Sequence, residues 1–298
     1  MFKEGNLPTG ERTVVRTGLP GVFWRILNQG TPSSKSKTVQ IDDGCGMLEA
    51  FSEVDKDLAE LNGLVSEFRL SEAQAFIEAM NQEMASTLFY GNNSVAPEEF
   101  NGLAIRYSDA SAQVGRNMLD AEGDAAAGCT SIWLVTWGAN SLVGIFPKGS
   151  KAGLQHEDLG LQTIEVMNGI GGNRMRAYQD HWQWKCGIAL KDWRYVARIC
   201  NIEVADLIAD NLSGATPDLI KLMIKATYRM PSLRAGKTAF YCNRTVLQYL
   251  DIQRFNAVKA GGGLTYEVVD GKNIPMFRGI PVRLVDAILD TENPITFP

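Results

Sequence analysis

Histidine is almost missing from this chain, with two in 298 residues, His156 and His181. Neither stands at a recognisable catalytic spacing from a Ser, a Cys or a carboxylate, which argues against a histidine-dependent hydrolase. No H-x-x-x-H pair and no EF-hand loop is present, so no metal site and no cofactor is expected. The five cysteines (Cys45, Cys129, Cys186, Cys200 and Cys242) are odd in number and include no C-x-x-C pair. That excludes a disulfide framework and implies free, mostly buried thiols in a reducing compartment. No apolar run approaches the roughly 20 residues of a membrane span. The start, MFKEGNLPTGER, lacks the apolar region of a secretion signal. The expectation is a soluble protein made in the cytosol, without a membrane partner. The net charge of −5 excludes a polyanion binder acting through overall charge. Gly169-Ile170-Gly171-Gly172 lacks the third glycine of a dinucleotide fingerprint, and Gly261-Gly262-Gly263 has no Lys-Ser/Thr after it.

What is present is apolar bulk and pattern. The 45% apolar content suffices for a core in one large domain or two ordinary ones. Leu70 to Tyr90 carries Ala73, Phe76, Ile77, Met80, Met84, Ala85 and Leu88 at helical spacing. Ser71 and Gln74 form a capping box, and Gly91-Asn92-Asn93 ends the helix. The spacing thus predicts a long helix over 71–90, a scaffold element that lies across a sheet or another helix.

Residues 1–21 hold six Gly or Pro and few large apolar groups, too little to fold alone. They read as an arm, either disordered or ordered by contact with something else. Up to Ile41 the chain has six Lys or Arg against two acids. That excess is either a solvated tail or a contact with an acidic neighbour or nucleic acid. VFWRIL (22–27) and TVQI (38–41) read as the strands of a long hairpin with an exposed tip, and such a ribbon is barely stable alone. It therefore leans on another part of the chain or on another chain. Gly44-Cys45-Gly46 breaks the ribbon. Leu48, Phe51, Val54, Leu58 and Leu61 then predict a helix over 47–61.

Further on, 93–107 reads as a loop entering a strand, and 118–129 as a surface loop. TSIWLVTW (130–137) and LVGIF (142–146) are strong strands, 147–161 is irregular, 163–167 is a strand, and NGIGGN is a tight turn. Residues 176–184, 185–190 and 193–199 read as antiparallel strands. After residue 202 the texture turns helical, over 203–212 and 217–230, with Thr216 as N-cap and Pro217 in the first turn. Strands at 238–242, 266–269 and 280–288 complete a second lobe. The tryptophans of the middle region could stack bases, but Lys185, Lys191, Arg194 and Arg198 are offset by Asp180, Asp192 and Glu165, so core packing is the better account.

SIWLVTWGANSLVGIFPKGSKAGL (131–154), AYQDHWQWKCGIALKDWRYVARICNI (177–202) and EFNGLAIRY (99–107) after a long helix resemble the major capsid protein of short-tailed double-stranded DNA bacteriophages. The resemblance implies the α+β tailed-phage capsid fold: an N-terminal arm (1–21), an extended loop (22–63), a peripheral domain (64–202) with its spine helix at 71–90, and an axial domain (203–298). In the usual order the chain visits the axial lobe midway and finishes in the peripheral lobe. Here the sheet-rich segment comes first, which implies a rearranged connectivity. The resemblance further implies hexamers and pentamers closing into an icosahedral shell. It also implies non-specific contact with packaged double-stranded DNA on the inner face, scaffolding, decoration or portal partners, a place in the virion, and assembly in the host cytoplasm. The candidate inter-subunit contact residues are Trp24, Lys35, Lys37, Arg12 and Arg16, with no catalytic residue. Some relatives cross-link the extended loop through a lysine, but no partner is evident here. Two other readings stay open: a cellular nanocompartment shell of the same fold, and an enzyme with a small-ligand cleft between the lobes.

Overall fold

The computed structural model describes residues 2–61, 63–166, 172–209, 218–257, 265–269 and 272–298. The centre of the fold is β5 (Cys129–Trp137), flanked by β9 (Val196–Glu203) and β10 (Lys237–Cys242), both antiparallel to it. Every residue of β5 from Cys129 to Thr136 is buried. Such a strand needs a core on each face, and the period-2 alternation supplies two. Ile132 and Leu134 point to one core, with Phe240, α5 (Leu219–Arg229) and α6 (Arg244–Ala257). Trp133 and Val135 point to the other, with Phe89, Leu103, Tyr107, Ile188 and Ile288. Helix α5 shows the matching helical logic: Leu219, Leu222, Met223 and Ala226 make its buried stripe, and the Asp218 carboxylate caps it by accepting from the Lys221 N–H.

From this body extends a limb of long strands. The strand β3 (Lys37–Asp55) runs 19 residues without a break. It pairs first with β2 (Gly10–Gly18) over Lys37–Gly44, then with β8 (Asn173–Leu190) over Cys45–Asp55. On the far side of β8 lies β7 (Leu154–Val166). The exchange of partners at Gly44/Cys45 requires glycine: a Cβ on Gly10 would lie 2.1 Å from the Asp43 carbonyl oxygen, and one on Gly187 2.5 Å from that of Gly44. The limb is joined to the body by β8, whose far end pairs with β6 (Leu142–Phe146). Across the limb lies α2 (Val65–Tyr90), about 39 Å long at ~1.5 Å per residue.

Several sequence expectations are corrected. The hairpin strands are 10–18 and 37–55, and VFWRIL is not a strand but part of an irregular tip. Gly44 to Gly46 does not break the ribbon. The helix expected over 47–61 is mostly strand: Leu48, Ala50, Ser52 and Val54 turn inward while Met47, Glu49, Phe51 and Glu53 face out, a period of two that the spacing of Leu48, Phe51 and Val54 disguised. Only α1 (Lys56–Glu60) is helical there. The long helix starts at Val65, six residues early, so Ser71 and Gln74 lie inside it. Gly91 ends it in an extended conformation, not the left-handed one. Residues 103–106 form a short helix, α3, instead of entering a strand, and Met118–Asp120 is a strand, β4, beside β9. Residues 173–190 are one strand, not two, and 154–161 belongs to β7 instead of being irregular. The turn at 168–173 lies mostly outside the described residues, as do Thr216, Pro217 and the glycines at 261–263.

The arm is ordered by its own chain: β1 (Phe2–Glu4) pairs in parallel with β6, and β2 belongs to the limb. Hydrogen bonds and core also cross residue 202. β10 pairs with β5, β13 (Ile280–Leu284) pairs with β10, and one core cluster mixes residues 119–134 with 219–282. A cut at 202 would therefore pass through a sheet. The chain visits the body, leaves for β7 and β8 of the limb, and returns to the body.

Candidate assembly surfaces

Each end of β3 carries apolar surface that its own chain leaves uncovered. At one end lies the tip, residues 19–36, between β2 and β3. Every residue from Leu19 to Ser36 is exposed, six large apolar side chains among them: Leu19, Val22, Phe23, Trp24, Ile26 and Leu27. Trp24 is 104% exposed, so its ring meets nothing of its own chain. The tip is nevertheless shaped, since the Ser34 hydroxyl donates to the Gly21 carbonyl at 2.6 Å and closes the loop on itself.

At the other end lies an elbow formed by α1 and the first turns of α2. Leu58, Leu61, Leu64, Phe68 and Leu70 are all exposed there. Of α2 only Met80 and Phe89 are fully buried. Its last turns pack into the body through Met84, Leu88 and Phe89, while its first half rides over the limb. That half is held by Arg69, which donates to Asp158 at 2.7 Å and Asp180 at 2.9 Å and lies 5.2 Å from the Tyr178 ring. The guanidinium holds the Asp158 carboxyl below the usual carboxylate range. Both histidines serve the limb as flat apolar surface. His156 stacks on Trp182 at 4.1 Å and bonds Asp180, and His181 stacks on Phe51 at 4.5 Å.

All five expected contact residues fall on the arm-and-tip part of the limb. Trp24 and Lys35 are on the tip, Lys37 opens β3, and Arg16 sits on β2 opposite Thr38. Arg12 is already engaged, its guanidinium bonding both oxygens of Asp42 across the ribbon at 2.7 Å. That contact raises the pKa of Arg12 and lowers that of Asp42. The elbow was missed by sequence reasoning. Leu58 and Leu61 stand at helical spacing, and nothing in that spacing distinguishes a face covered by its own chain from one left open.

The body is locked by a buried ion pair. Glu292, 94 residues on from Arg198, accepts from its guanidinium at 2.9 Å and from the hydroxyls of Tyr90 and Ser131. Arg198 also donates to the Tyr107 carbonyl at 2.8 Å and lies 4.9 Å from the Trp133 ring. Burial and the neighbouring Glu292 push the Tyr90 phenol well up. One network thus joins the C-terminal segment, the end of α2 and the central sheet. The core reading of the tryptophans holds for Trp133 and Trp182, which are buried.

A groove of about 1130 Å³ is lined by Gly138 and Ala139 just after β5, Gly144 of β6, Ala239 of β10, and the larger Leu88, Trp137 and Ile188. Its titratable lining is Lys237, Arg283, Tyr241 and Cys186, whose thiol burial pushes up to about 12. All five cysteines are free, four of them buried. Among the described residues no group of three or more potential ligands could hold a metal, and no helix is long and apolar enough to cross a membrane.

A packed body that carries a stiff limb with bare apolar ends defines a subunit of a larger assembly. The chain belongs to the major capsid protein GP7 family, whose model matches residues 1–296. It is similar, at 31% identity and TM-score 0.77, to a chain in the cryo-EM structure of bacteriophage Epsilon15, covering 99% of this chain and 87% of that one. More distant likenesses are to the capsid of bacteriophage JBD30 (9% identity, TM-score 0.49, covering 96% and 88%) and to the SrpI encapsulin of Synechococcus elongatus PCC 7942 (12%, 0.39, 56% and 78%). The assignment rests on the family and on Epsilon15. No curated protein matches the chain in sequence. The fold is the α+β tailed-phage capsid fold, and the chain is a capsid structural protein.

Proposed function

We propose that copies of this chain build hexamers and pentamers that close into an icosahedral shell around packaged double-stranded DNA, assembling in the host cytoplasm. The observation that carries this is the run of exposed residues from Leu19 to Ser36 with six bare apolar side chains. Contiguous exposed apolar surface on that scale marks an interaction site. The work is burial between chains, without bond making, and a permanent interface of this kind commonly covers ~2,000 Å² or more. Trp24, Lys35 and Lys37 meet the neighbouring subunit, while Arg12 acts indirectly by stiffening the ribbon through Asp42. Contact with DNA on the inner face is sequence-independent and weakens with salt. Scaffolding, decoration and portal proteins are the expected further partners.

The test is deletion of residues 20–35. The variant should keep the wild-type melting temperature as a dissociated subunit and fail to form closed particles by electron microscopy. Normal particles from this deletion would refute the proposal.

A further inference from the structure

Residues 219–250 hold six Lys or Arg and no Asp or Glu. The chain has 34 acids in 298 residues, about one in nine, so an acid-free stretch of this length stands apart in a protein of net charge −5. Helix α5 opens the stretch, and burial divides it in two. Leu219, Leu222, Met223 and Ala226 go to the core, while Lys221, Lys225, Tyr228 and Arg229 are exposed. Steps of four residues keep the three cations on one side of the helix. At ~1.5 Å per residue the row runs about 12 Å along the axis.

Neighbouring elements extend the row and do not offset it. Arg278, in the turn before β13, lies 5.7 Å from the Tyr228 ring. The 3-10 turn Gln113–Asn117 packs against α5 and carries Arg116, exposed, and no acid. Of the acids close by, Asp218 is turned into the helix cap, and Asp120 of β4 accepts from Asn201 at 2.9 Å. Among the described residues the ion pairs engage other cations and leave these five without an acid.

The arrangement does not serve the helix. Like charges four residues apart repel, and Lys221 stands in the first turn, where the helix dipole disfavours a cation. Nor does it suit a protein partner, because the centre of such a contact is depleted of charge and rich in apolar groups. From Leu219 to Arg229, Tyr228 is the one large apolar side chain exposed. A row of unpaired cations on a helix anchored in the core suits a polyphosphate backbone, which is held through charge without reading of bases.

We propose that the outer face of α5, with Lys221, Lys225 and Arg229 and with Arg116 and Arg278 beside them, is the surface that contacts packaged double-stranded DNA. This side of the body then faces the lumen of the shell. The inference rests on the shell reading above and names the DNA-facing surface within it. Elsewhere the net negative charge repels the polyanion, so contact concentrates on this row.

The test measures binding of full-length dissociated subunits to a short DNA duplex of mixed sequence, by fluorescence anisotropy across a salt series. K221Q/K225Q/R229Q should make the slope of log K against log salt shallower by about three, and each single substitution by about one. K148Q/K151Q/R174Q removes the same charge from the limb and should leave the slope within about 0.5 of wild type. Melting curves separate misfolding from lost binding; should the triple α5 variant melt low, the single variants decide. An unchanged slope in the α5 variants, an equal change in the limb variant, or tighter binding of wild type to poly-glutamate than to the duplex would overturn the proposal. Particle formation is read separately by electron microscopy, and the α5 triple variant should close into normal shells. Loss of closed particles in that variant alone would place the row in a contact between copies, which overturns the proposal and leaves the shell reading intact. Wild-type chains that never close would overturn the shell reading and the lumenal assignment with it.

Discussion

Replacing Trp24 by alanine should separate assembly from folding. In the isolated subunit the ring touches nothing of its own chain. Its loss should therefore leave subunit stability within about 0.5 kcal/mol, as for other surface changes. In the shell the same ring becomes an interface centre. An aromatic of this size buries ~200 Å², which at ~25 cal/mol per Å² gives an upper figure of about 5 kcal/mol. Measured truncations of central interface aromatics fall at about 2–4 kcal/mol. In a closed ring each subunit gives one tip and receives one, so one such contact is lost per chain. At ~1.4 kcal/mol per decade the assembly threshold rises at least about 30-fold. Light scattering across a concentration series reads the threshold, and circular dichroism reads the melting point of the dissociated subunit. An unchanged threshold would refute the reasoning. So would a subunit melting several degrees lower, because Trp24 would then be packed at home.

Three further outcomes follow from the body and the limb. Glu292→Gln leaves the Arg198 cation buried and unpaired, which costs about 3–5 kcal/mol. At ~2.1 cal/mol/K of unfolding entropy per residue, that is a drop of about 5–8 °C in melting temperature, and calorimetry showing under 1 °C would contradict the network's role. Arg69→Met tests the limb anchor against pH. The folded Asp158 pKa lies below its unfolded value of 3.8, so its contribution is present above that value and is lost as the pH falls through the lower folded one. Because Asp158 is half exposed, the effect is under about 1 kcal/mol, and the variant's acid-side stability curve should be correspondingly shallower. Finally, burial pushes the thiols of Cys45, Cys186, Cys200 and Cys242 up to about 11–12. Iodoacetamide at pH 8 should label them slowly in the folded subunit and all five cysteines rapidly in urea; rapid labelling of Cys186, Cys200 or Cys242 in the folded state would contradict their burial.

The parts of the fold legible from sequence are those whose residues declare burial on every side. TSIWLVTW and TAFYC are continuous runs of β-branched and aromatic residues, and they are the central strands β5 and β10. The long helix was visible for the same reason, although VSEFRL extends it backwards past Ser71 because those residues propagate a helix as readily as they precede one. The limb was misread because β3 depends on β8, whose pairing residues lie well over a hundred positions away, and no local signal reports that partner. Leu48, Phe51 and Val54 satisfy a helical spacing and a strand equally, and tertiary pairing decided for the strand. The Arg198–Glu292 lock is likewise a long-range pair. As for assembly, the unfinished character of the amino-terminal part was legible in its glycines, prolines and Trp24. The elbow was not, because exposed leucines and buried leucines look alike in a sequence.

Under the proposed shell assembly, one copy of this chain completes another through the tip. A cryo-EM map of particles assembled from the full chain measures that directly. Closed shells are expected, with density for residues 19–36 lying against an adjacent subunit. Tips standing free in solvent or folded onto their own subunit would contradict it.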